Sequence, residues 1–283
     1  MSQAITRIKT RIRSVTGAYK VTSAMKLVSS VKLRTWKSKM IANKRFKEEV
    51  KNASDDVFRY LENISSPLIN GNPDASKNLY IVVTSSLGLC GAYNTNIFKL
   101  IEKNISNDDD VIILGKKGLS HFEHASFNKI NDFNTYESIK DESKIRNLTN
   151  YLVSEFEKGI YKEVHIIYTE YRNPIVFTAR DETLLPLKPN VDSKENNVGY
   201  GPLLEPNKNE LLSTLIPFVI RTMVYSVLLE SEVSEQASRS NAMENATDNA
   251  EELLNELNIE FNKARQASIT QEIIEIAAAA NSH

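Results

Sequence analysis

The sequence predicts an α/β protein with a long antiparallel coiled coil of N- and C-terminal helices plus a central α/β domain. Three observations predict it: the positions of glycine and proline, the periodicity of apolar residues near both ends of the chain, and the opposite charges of those ends. Of the 9 glycines and 8 prolines, all but Gly17 lie between Pro67 and Pro217. Because these residues interrupt regular structure most strongly, we expect long helices at both ends and shorter elements between them.

The first predicted element is an N-terminal helix within residues 1–66. Residues 18–66 contain neither glycine nor proline. Near the start, apolar side chains recur in steps of three and four, which is typical of a coiled-coil seam. This first part of the seam comprises Ile5, Ile8, Ile12, Val15 and Tyr19. After a shift of register, the seam is expected to continue through Met25, Val28 and Val31.

The last predicted element is a C-terminal helix within residues 209–283. Residues 218–283 also lack glycine and proline, and a helix of this length would extend about 100 Å. An alternative is that both end helices are amphipathic and pack on a globular core, but a core of this size could not cover so much helix. The expected seam comprises Ala246, Ala250, Leu253, Leu257, Phe261 and Ala264.

The charges of the two ends indicate which helix pairs with which. Residues 1–47 contain 13 Lys and Arg and no acidic residue, whereas residues 218–283 contain 11 Asp and Glu and only four basic residues. Opposite charges favour pairing of the two ends with each other and disfavour self-pairing. The basic helix could instead bind nucleic acid, but it has few aromatic residues on which bases could stack, so we expect no nucleic-acid partner.

The middle of the chain, residues 67–208, is expected to form a Rossmann-like α/β domain. Short apolar runs predict strands at 79–84, 111–115 and 164–169, and the run 175–187 predicts one or two more. Helical stretches lie between the strands, at about 92–104, 117–124 and 142–158. Alternation of strand and helix predicts a largely parallel sheet with helices packed on it.

The central domain shows no catalytic constellation. The turn at 85–91 follows the first strand, where doubly wound folds bind nucleotides, but it matches neither of the glycine-rich phosphate-binding motifs. Cys90 is a candidate nucleophile with His121, His124 or His165 as base, although their spacing does not support it. The acids at 108–110 resemble a metal cluster but are expected to be solvated. We therefore expect no cofactor and no metal. The sequence contains no run of 18 or more apolar residues, so we also expect no membrane-spanning helix.

Four stretches carry a resemblance to a known family. They are residues 262–273 (NKARQASITQEI), 234–239 (SEQASR), 20–28 (KVTSAMKLV) and the turn 88–91 (GLCG) followed by Asn94. By their order along the chain and their spacing, these stretches resemble the gamma subunit of F-type ATP synthase, the central shaft of the F1 motor. The resemblance extends along the whole chain, and the motif at 262–273 is the most specific.

The resemblance implies a non-catalytic shaft that couples rotation to ATP synthesis or hydrolysis. The implied partners are three alpha and three beta subunits, the epsilon subunit and the membrane c-ring, at the cytoplasmic face of the cell membrane. The residues implied to contact the alpha/beta ring are Arg13, Lys20, Met25, Lys26, Arg265, Gln266 and Thr270. Those implied to form the foot at the c-ring and epsilon are Ser86, Leu87, Gly88, Leu204, Glu205 and Pro206.

Two departures from the family pattern leave alternatives open. Ser86-Leu87 stands where the family usually has Asp-Arg, and residues 240–244 (SNAME) replace a Met-Val-Ala-Met-Lys pattern, which reverses one charge at Glu244. A shaft of a divergent F1-like ATPase that is not coupled to ordinary proton translocation is therefore one alternative. The other is an α/β enzyme or ligand-binding domain with helical arms.

We predict that the isolated chain does not hydrolyse nucleotides and tends to aggregate, because its apolar surfaces require partners. Measurement of phosphate release by the purified chain tests this. Sustained turnover would favour the enzyme, whereas salt-dependent binding of DNA or RNA would favour the nucleic-acid alternative.

Overall fold

The computed structural model describes residues 3–60, 66–133, 141–188, 205 and 207–280. It has the predicted class, with a long helix at each end of the chain and a five-stranded sheet between them. In chain order the elements are α1 (Gln3–Tyr60), α2 (Pro67–Asn70), β1 (Lys77–Val83), α3 (Tyr93–Asn104), β2 (Asp110–Leu114), α4 (Lys116–His121), β3 (Asn128–Lys129), α5 (Glu142–Glu157), β4 (Tyr161–Tyr171), β5 (Phe177–Leu185) and α6 (Lys208–Ala280).

The chain divides into two compact units. The smaller unit consists of residues 1–31 and 239–283, and the larger unit of residues 32–238. The predicted division at residues 66 and 208 is based on the expected ends of the two long helices. The compact units divide differently, because α1 and α6 each contribute one part to the smaller unit and another part to the larger.

The sheet of the larger unit has the strand order β3-β2-β1-β4-β5. β1 pairs in parallel with β2 and with β4, and β2 pairs in parallel with β3. The predicted parallel sheet is therefore confirmed for these strands. The run 175–187 forms a single strand, β5, which pairs antiparallel with β4 at the edge of the sheet. Because β1 and β4 are parallel neighbours, their carboxyl ends lie side by side at the same end of the strands.

Both faces of the sheet are covered by helices. Alternate side chains of β1 point to opposite faces: Leu79 and Ile81 belong to a core shared with α1, α5 and α6, whereas Tyr80 and Val82 belong to a core shared with α3 and α4. All four side chains are at most 5% exposed. A strand that is buried on both faces reads as a continuous apolar run, which explains why the sequence showed the parallel strands so clearly.

Helix α6 is apolar enough to pass a composition test for membrane-spanning helices. Between Glu210 and Ala278 it contains an 18-residue window with a mean hydropathy of 1.7, and half of that window is buried inside the protein. In the larger unit, α6 contributes Ile216, Ile220 and Val224 to the core, and each of them is at most 2% exposed. The apolar character of α6 in the larger unit is that of a core helix.

The expectation that the acids at 108–110 are solvated is wrong for two of them. Asp109 and Asp110 are 4% and 5% exposed. Asp110 accepts hydrogen bonds from Asn128 Nδ2 at 2.8 Å, Tyr161 OH at 2.9 Å and Lys77 Nζ at 3.2 Å. Burial by itself raises the pKa of Asp110, but these donors lower the pKa below its ordinary value. The two acids are structural acceptors, and within the described ranges no three His, Cys, Asp or Glu side chains could hold a metal.

His165 of β4 lies between two carboxylates. Its Nδ1 is 2.9 Å from Asp181 Oδ1 and its Nε2 is 3.1 Å from Glu163 Oε2, while its ring stacks on Tyr80 with centroids 4.9 Å apart. Burial by itself lowers the pKa of His165, but the hydrogen bonds and charges of Asp181 and Glu163 outweigh burial and raise the pKa above its ordinary value.

We predict that His165 makes the larger unit less stable as the pH rises. Because the pKa is higher in the folded than in the unfolded chain, the stabilisation is fully present below about pH 6.5 and is lost as the pH rises through the folded pKa. Urea unfolding of the wild type and of His165→Gln at several pH values tests this. The difference in stability between the two should shrink with rising pH, and a constant difference would contradict the assignment.

Candidate functional site

The smaller unit contains an antiparallel pair of helices. Thr22 of α1 lies opposite Thr247 of α6, with 2.9 Å between their hydroxyl oxygens. Eight residues further along α1, the hydroxyl of Ser30 lies 2.9 Å from that of Ser240. Partner numbers on α6 fall as those on α1 rise, so the helices run in opposite directions. This is the predicted pairing of the two ends of the chain.

The start of the predicted α1 seam is confirmed. Ile5 and Ile8 are buried, at 4% and 7% exposure. The next three predicted seam residues, Ile12, Val15 and Tyr19, are half-buried. Burial at every third or fourth residue is what a heptad seam produces in a helix that packs against a single partner.

The predicted α6 seam is confirmed as well. Leu257 is 2% exposed and is the most deeply covered of the predicted residues. The other five predicted residues, Ala246, Ala250, Leu253, Phe261 and Ala264, are all half-buried. Small residues at some of these positions let the helix backbones approach closely but contribute little apolar area.

The predicted shift of register in α1 is wrong. Of the three residues expected in the seam after the shift, Met25 is half-buried, but Val28 and Val31 are 54% and 60% exposed. The steps of three and four instead continue from Tyr19 without interruption through the covered residues Thr22, Lys26 and Ser29. The sequence reasoning followed the hydrophobic side chains, whereas the geometry of the helix keeps polar side chains in the seam here.

Three polar rungs join the helices where the α1 seam becomes polar: Thr22–Thr247, Lys26–Glu244 and Ser30–Ser240. The Lys26 ammonium lies 2.8 Å from Glu244 Oε1, and the two side chains are 38% and 50% exposed. The hydrogen bond to Glu244 raises the pKa of Lys26 above its ordinary value. Exposed ion pairs contribute little to stability. The main consequence of an acidic residue at position 244 is therefore that it pairs with the Lys26 ammonium within the coil.

The same stretch of α1 presents apolar side chains to solvent. The exposed side chains Val21, Leu27, Val28 and Val31, here called the outer stripe, are between 54% and 67% exposed. At about 100° of rotation per residue, these four positions fall within about 120° of one another around the axis, so they lie on one side of α1. A helix with polar residues towards its partner and apolar residues towards solvent has a surface prepared for another protein.

The last part of α6 extends beyond the seam. Ser268 is the last half-buried residue, and residues 269–278 are all exposed. At 1.5 Å per residue, this exposed end is about 15 Å long. It carries four exposed isoleucines, Ile269, Ile273, Ile274 and Ile276, at 48% to 70% exposure.

The predicted ring-contact residues all lie in the smaller unit. Arg13, Lys20, Arg265, Gln266 and Thr270 are exposed, whereas Met25 and Lys26 are half-buried. Six of them lie along the paired part of the coil, and Thr270 lies on the exposed end of α6 beyond the seam. The sequence analysis does not identify the outer stripe, because it places two of its four residues, Val28 and Val31, in the seam. Extending the spacing from Ile5 without a shift would identify it.

The described foot residues belong to two segments, the turn after β1 and the stretch just before α6. Ser86, Leu87 and Gly88 belong to the turn after β1, and the carbonyl of Cys90 in the same turn accepts a hydrogen bond of 2.7 Å from Ser238 Oγ. Glu205 is exposed just before α6 begins. About 30 residues of helix separate Ser238 from that beginning, which corresponds to about 45 Å. Leu204 and Pro206 lie outside the described residues.

The turn after β1 is ordered by its own side chains. Asn94 Oδ1 accepts from the amide of Ser85 at 3.1 Å, and Asn94 Nδ2 donates to Ser85 Oγ at 2.7 Å. Leu89 has a φ of 60°, a backbone conformation that leucine rarely adopts. Leu87 and Leu89 are each 61% exposed, so this ordered turn displays two large apolar side chains.

Cys90 has no described histidine as a base. Its Sγ lies 3.4 Å from Asn94 Nδ2 and 3.7 Å from Ser85 Oγ. His165 is held by carboxylates, and His121 stacks on Phe98 with centroids 4.0 Å apart. The geometry of the described residues therefore does not support a Cys–His nucleophile.

The comparisons with known proteins agree with this geometry. The family model described as ATP synthase matches residues 4–282. The ATP synthase gamma chain of Mycoplasma capricolum is 35% identical over 97% of both chains, and that of Pelodictyon phaeoclathratiforme is 30% identical, also over 97% of both. A chain of the Euglena gracilis mitochondrial ATP synthase has the same fold, with a TM-score of 0.66, 18% identity, and coverage of 98% of this chain and 94% of that one.

We predict that the stability of the coil distinguishes seam from outer stripe. Leu257→Ala should lower the free energy of unfolding by about 2–3 kcal/mol, because it leaves a cavity in the seam. Val28→Ser should change it by less than about 0.5 kcal/mol, because Val28 faces solvent. Urea unfolding followed by helical circular dichroism tests both. A large decrease in the free energy of unfolding of Val28→Ser would show that Val28 packs in the seam instead.

Proposed function

The chain belongs to the family of ATP synthase gamma chains, and we propose that its coil couples rotation to the nucleotide sites through the outer stripe of α1. As a gamma chain it is a non-catalytic subunit and the central rotor shaft of the F1 motor. It belongs to the peripheral F1 part of the membrane ATP synthase, with the alpha, beta and epsilon subunits and the c-ring as partners.

The observation that carries the proposal is the inverted polarity of α1 between residues 21 and 31. A ring of alternating, near-identical subunits has rotational symmetry, whereas the outer stripe lies on α1 and so points to one side of the coil. The two helices also differ in charge. As the coil turns, the catalytic subunits meet the stripe one after another, so each subunit has a different contact from its neighbours at any moment.

The outer stripe is large enough to matter energetically. Covering a valine or leucine completely contributes about 1.5–3 kcal/mol, so covering four half-exposed side chains contributes on the order of 5 kcal/mol. Moving a two-state site from 1:99 to 99:1 requires about 5.5 kcal/mol. Because coupling between sites is reciprocal, nucleotide exchange in a catalytic subunit would in turn favour one orientation of the coil.

The charged and polar residues of the coil complete the proposed ring contacts. Arg13 and Lys20 on α1, and Arg265, Gln266 and Thr270 on α6, are all exposed. Charged hydrogen bonds from such residues would fix the orientation of the coil within the ring. Lys26 and Met25 face the seam more than the outer side. We therefore assign Lys26 to the coil itself, in its ion pair with Glu244.

The membrane-side contacts are proposed for the segment before α6. Glu205 is exposed there, and Leu204 and Pro206 flank it in sequence. The turn at 86–88 lies about 45 Å along α6 from this segment, which supports two separate contacts rather than one foot. We place the assembly at the cytoplasmic face of the cell membrane, on the strength of the bacterial relatives.

We predict that Val21→Ser combined with Val28→Ser impairs coupling without unfolding the coil. ATP hydrolysis by a reconstituted complex of alpha, beta and this chain should fall about tenfold or more, since two apolar contacts are removed. Ile41→Ser is the matched control, because Ile41 is also on α1 and 53% exposed but lies outside the outer stripe.

Pull-down of the same variants with mass spectrometry identifies the companions. Recovery of alpha, beta, epsilon and c subunits with the wild type is expected, while unfamiliar companions would favour the divergent motor. Equal hydrolysis by the stripe variant and the Ile41 control would contradict the proposed role of the stripe.

We also predict that removal of residues 277–283 weakens assembly with the ring or the torque it produces. The exposed end of α6 carries four exposed isoleucines, and the small residues near the terminus suit a narrow sleeve formed by the ring subunits. Rotation assays and co-purification of the truncated chain test this. Normal assembly together with normal rotation would refute a role for these residues.

A further inference from the structure

Three serines on α6 lie buried at the carboxyl edge of the sheet. Ser231, Ser234 and Ser238 are 1%, 0% and 6% exposed. Their spacing of three and four residues places them on one face of the helix. All three belong to the larger unit, and Ser238 is its last residue along α6.

Each serine bonds to a different element of the α/β domain. The hydroxyl of Ser231 shares a hydrogen bond of 2.6 Å with Tyr93 OH at the start of α3. Ser234 Oγ donates to the carbonyl of Thr169 in β4 at 3.0 Å, and Ser238 Oγ donates to the carbonyl of Cys90 in the turn after β1 at 2.7 Å. We call these three bonds the serine joint.

A neighbouring residue pair on the same helix shows what such side chains ordinarily do. Thr222 Oγ1 and Ser226 Oγ donate to carbonyls four residues earlier in α6, at 2.9 Å and 2.8 Å. That local bond is the usual one for a hydroxyl within a helix. The serine joint instead directs its hydroxyls to other elements, so these residues connect α6 to the sheet.

The serine joint lies at the place where doubly wound α/β domains usually bind a nucleotide. In doubly wound sheets, ligands lie in the crevice beyond the carboxyl ends of neighbouring parallel strands. Here the carboxyl ends of β1 and β4 face α6, and Glu230 of α6 accepts a hydrogen bond of 3.0 Å from the amide of Tyr171 at the end of β4. The helix therefore occupies the place of a ligand.

We propose that the serine joint is the mechanical connection through which torque passes between the α/β domain and the coil. This inference rests on the proposed function. The part of α6 that belongs to the smaller unit starts at residue 239, directly after Ser238. Interdigitated apolar side chains already hold α6 against the sheet, and the serine joint adds contacts of a different kind. Buried hydrogen bonds are directional and costly to leave unmade, so they resist displacement of α6 against the sheet.

The test is rotation against load in the complete complex. We compare the wild type with Ser231→Ala/Ser234→Ala/Ser238→Ala and with the control Thr222→Val, which removes a buried hydroxyl that bonds only within α6. Single complexes are driven by ATP with probes of increasing drag. The triple variant should rotate a light probe within about twofold of the wild-type rate, but should stall at about half the drag or less, because three directional bonds are missing.

Hydrogen exchange in the same complexes reports the local opening of the serine joint. Exchange at the amides of Tyr171 and Cys90 should rise about fivefold for each serine replaced, and Thr222→Val should leave it unchanged. A merely stabilising role for the serines would lower the melting temperature without changing the stall drag of assembled complexes, and that result would overturn the proposal.

If the triple variant does not assemble, the single variant Ser238→Ala tests the proposal in the same rotation assay. A reduced stall drag supports the serine joint, and an unchanged stall drag overturns it. Failure of the proposed function has a different signature, because the outer-stripe variant would then hydrolyse ATP as fast as the Ile41→Ser control, whatever the serine variants show.

Discussion

The constraint on which the structure depends is that one helix, α6, must pack in two different surroundings in succession. Up to Ser238 its covered face packs against the sheet and also contacts α1, where Asn43 Nδ2 donates to Ser226 Oγ at 2.7 Å. From residue 239 onward α6 belongs to the smaller unit, where it pairs with α1 through a heptad seam. The composition of α6 follows this change, with Ile220 and Val224 in the core and smaller residues such as Ala246 and Ala250 in the coil.

The coil is less stable than it could be along the part of α1 that carries the outer stripe, where we propose that another subunit binds. Between residues 21 and 31, α1 places threonine, lysine and serine in the seam and keeps valine and leucine outside. For an isolated coil the reverse arrangement would be more stable, because it would bury more apolar area. Natural proteins break local rules chiefly at functional sites, and this inversion is the clearest such departure in the described part of the chain.

The α/β domain shows how little a fold determines function. Its strand order and its parallel strands are those of nucleotide-binding domains, and the turn after β1 occupies the position of a phosphate-binding loop. Yet Ser234 and Ser238 of α6 close that edge with hydrogen bonds to β4 and to the turn. The crevice that serves as an active site elsewhere serves here to hold a helix, which suits a subunit that transmits force rather than performing chemistry.

The sequence by itself determined the two long helices, their opposite charges and the buried strands, because breakers, net charge and apolar periodicity are local properties. It also identified the seam from Ile5 to Tyr19. Only the tertiary structure decided that Val28 and Val31 point outward, that Asp109 and Asp110 are buried acceptors, and that Ser238 bonds to the turn after β1. Each of these depends on which distant group lies opposite a side chain, and a pattern along one chain does not contain that information.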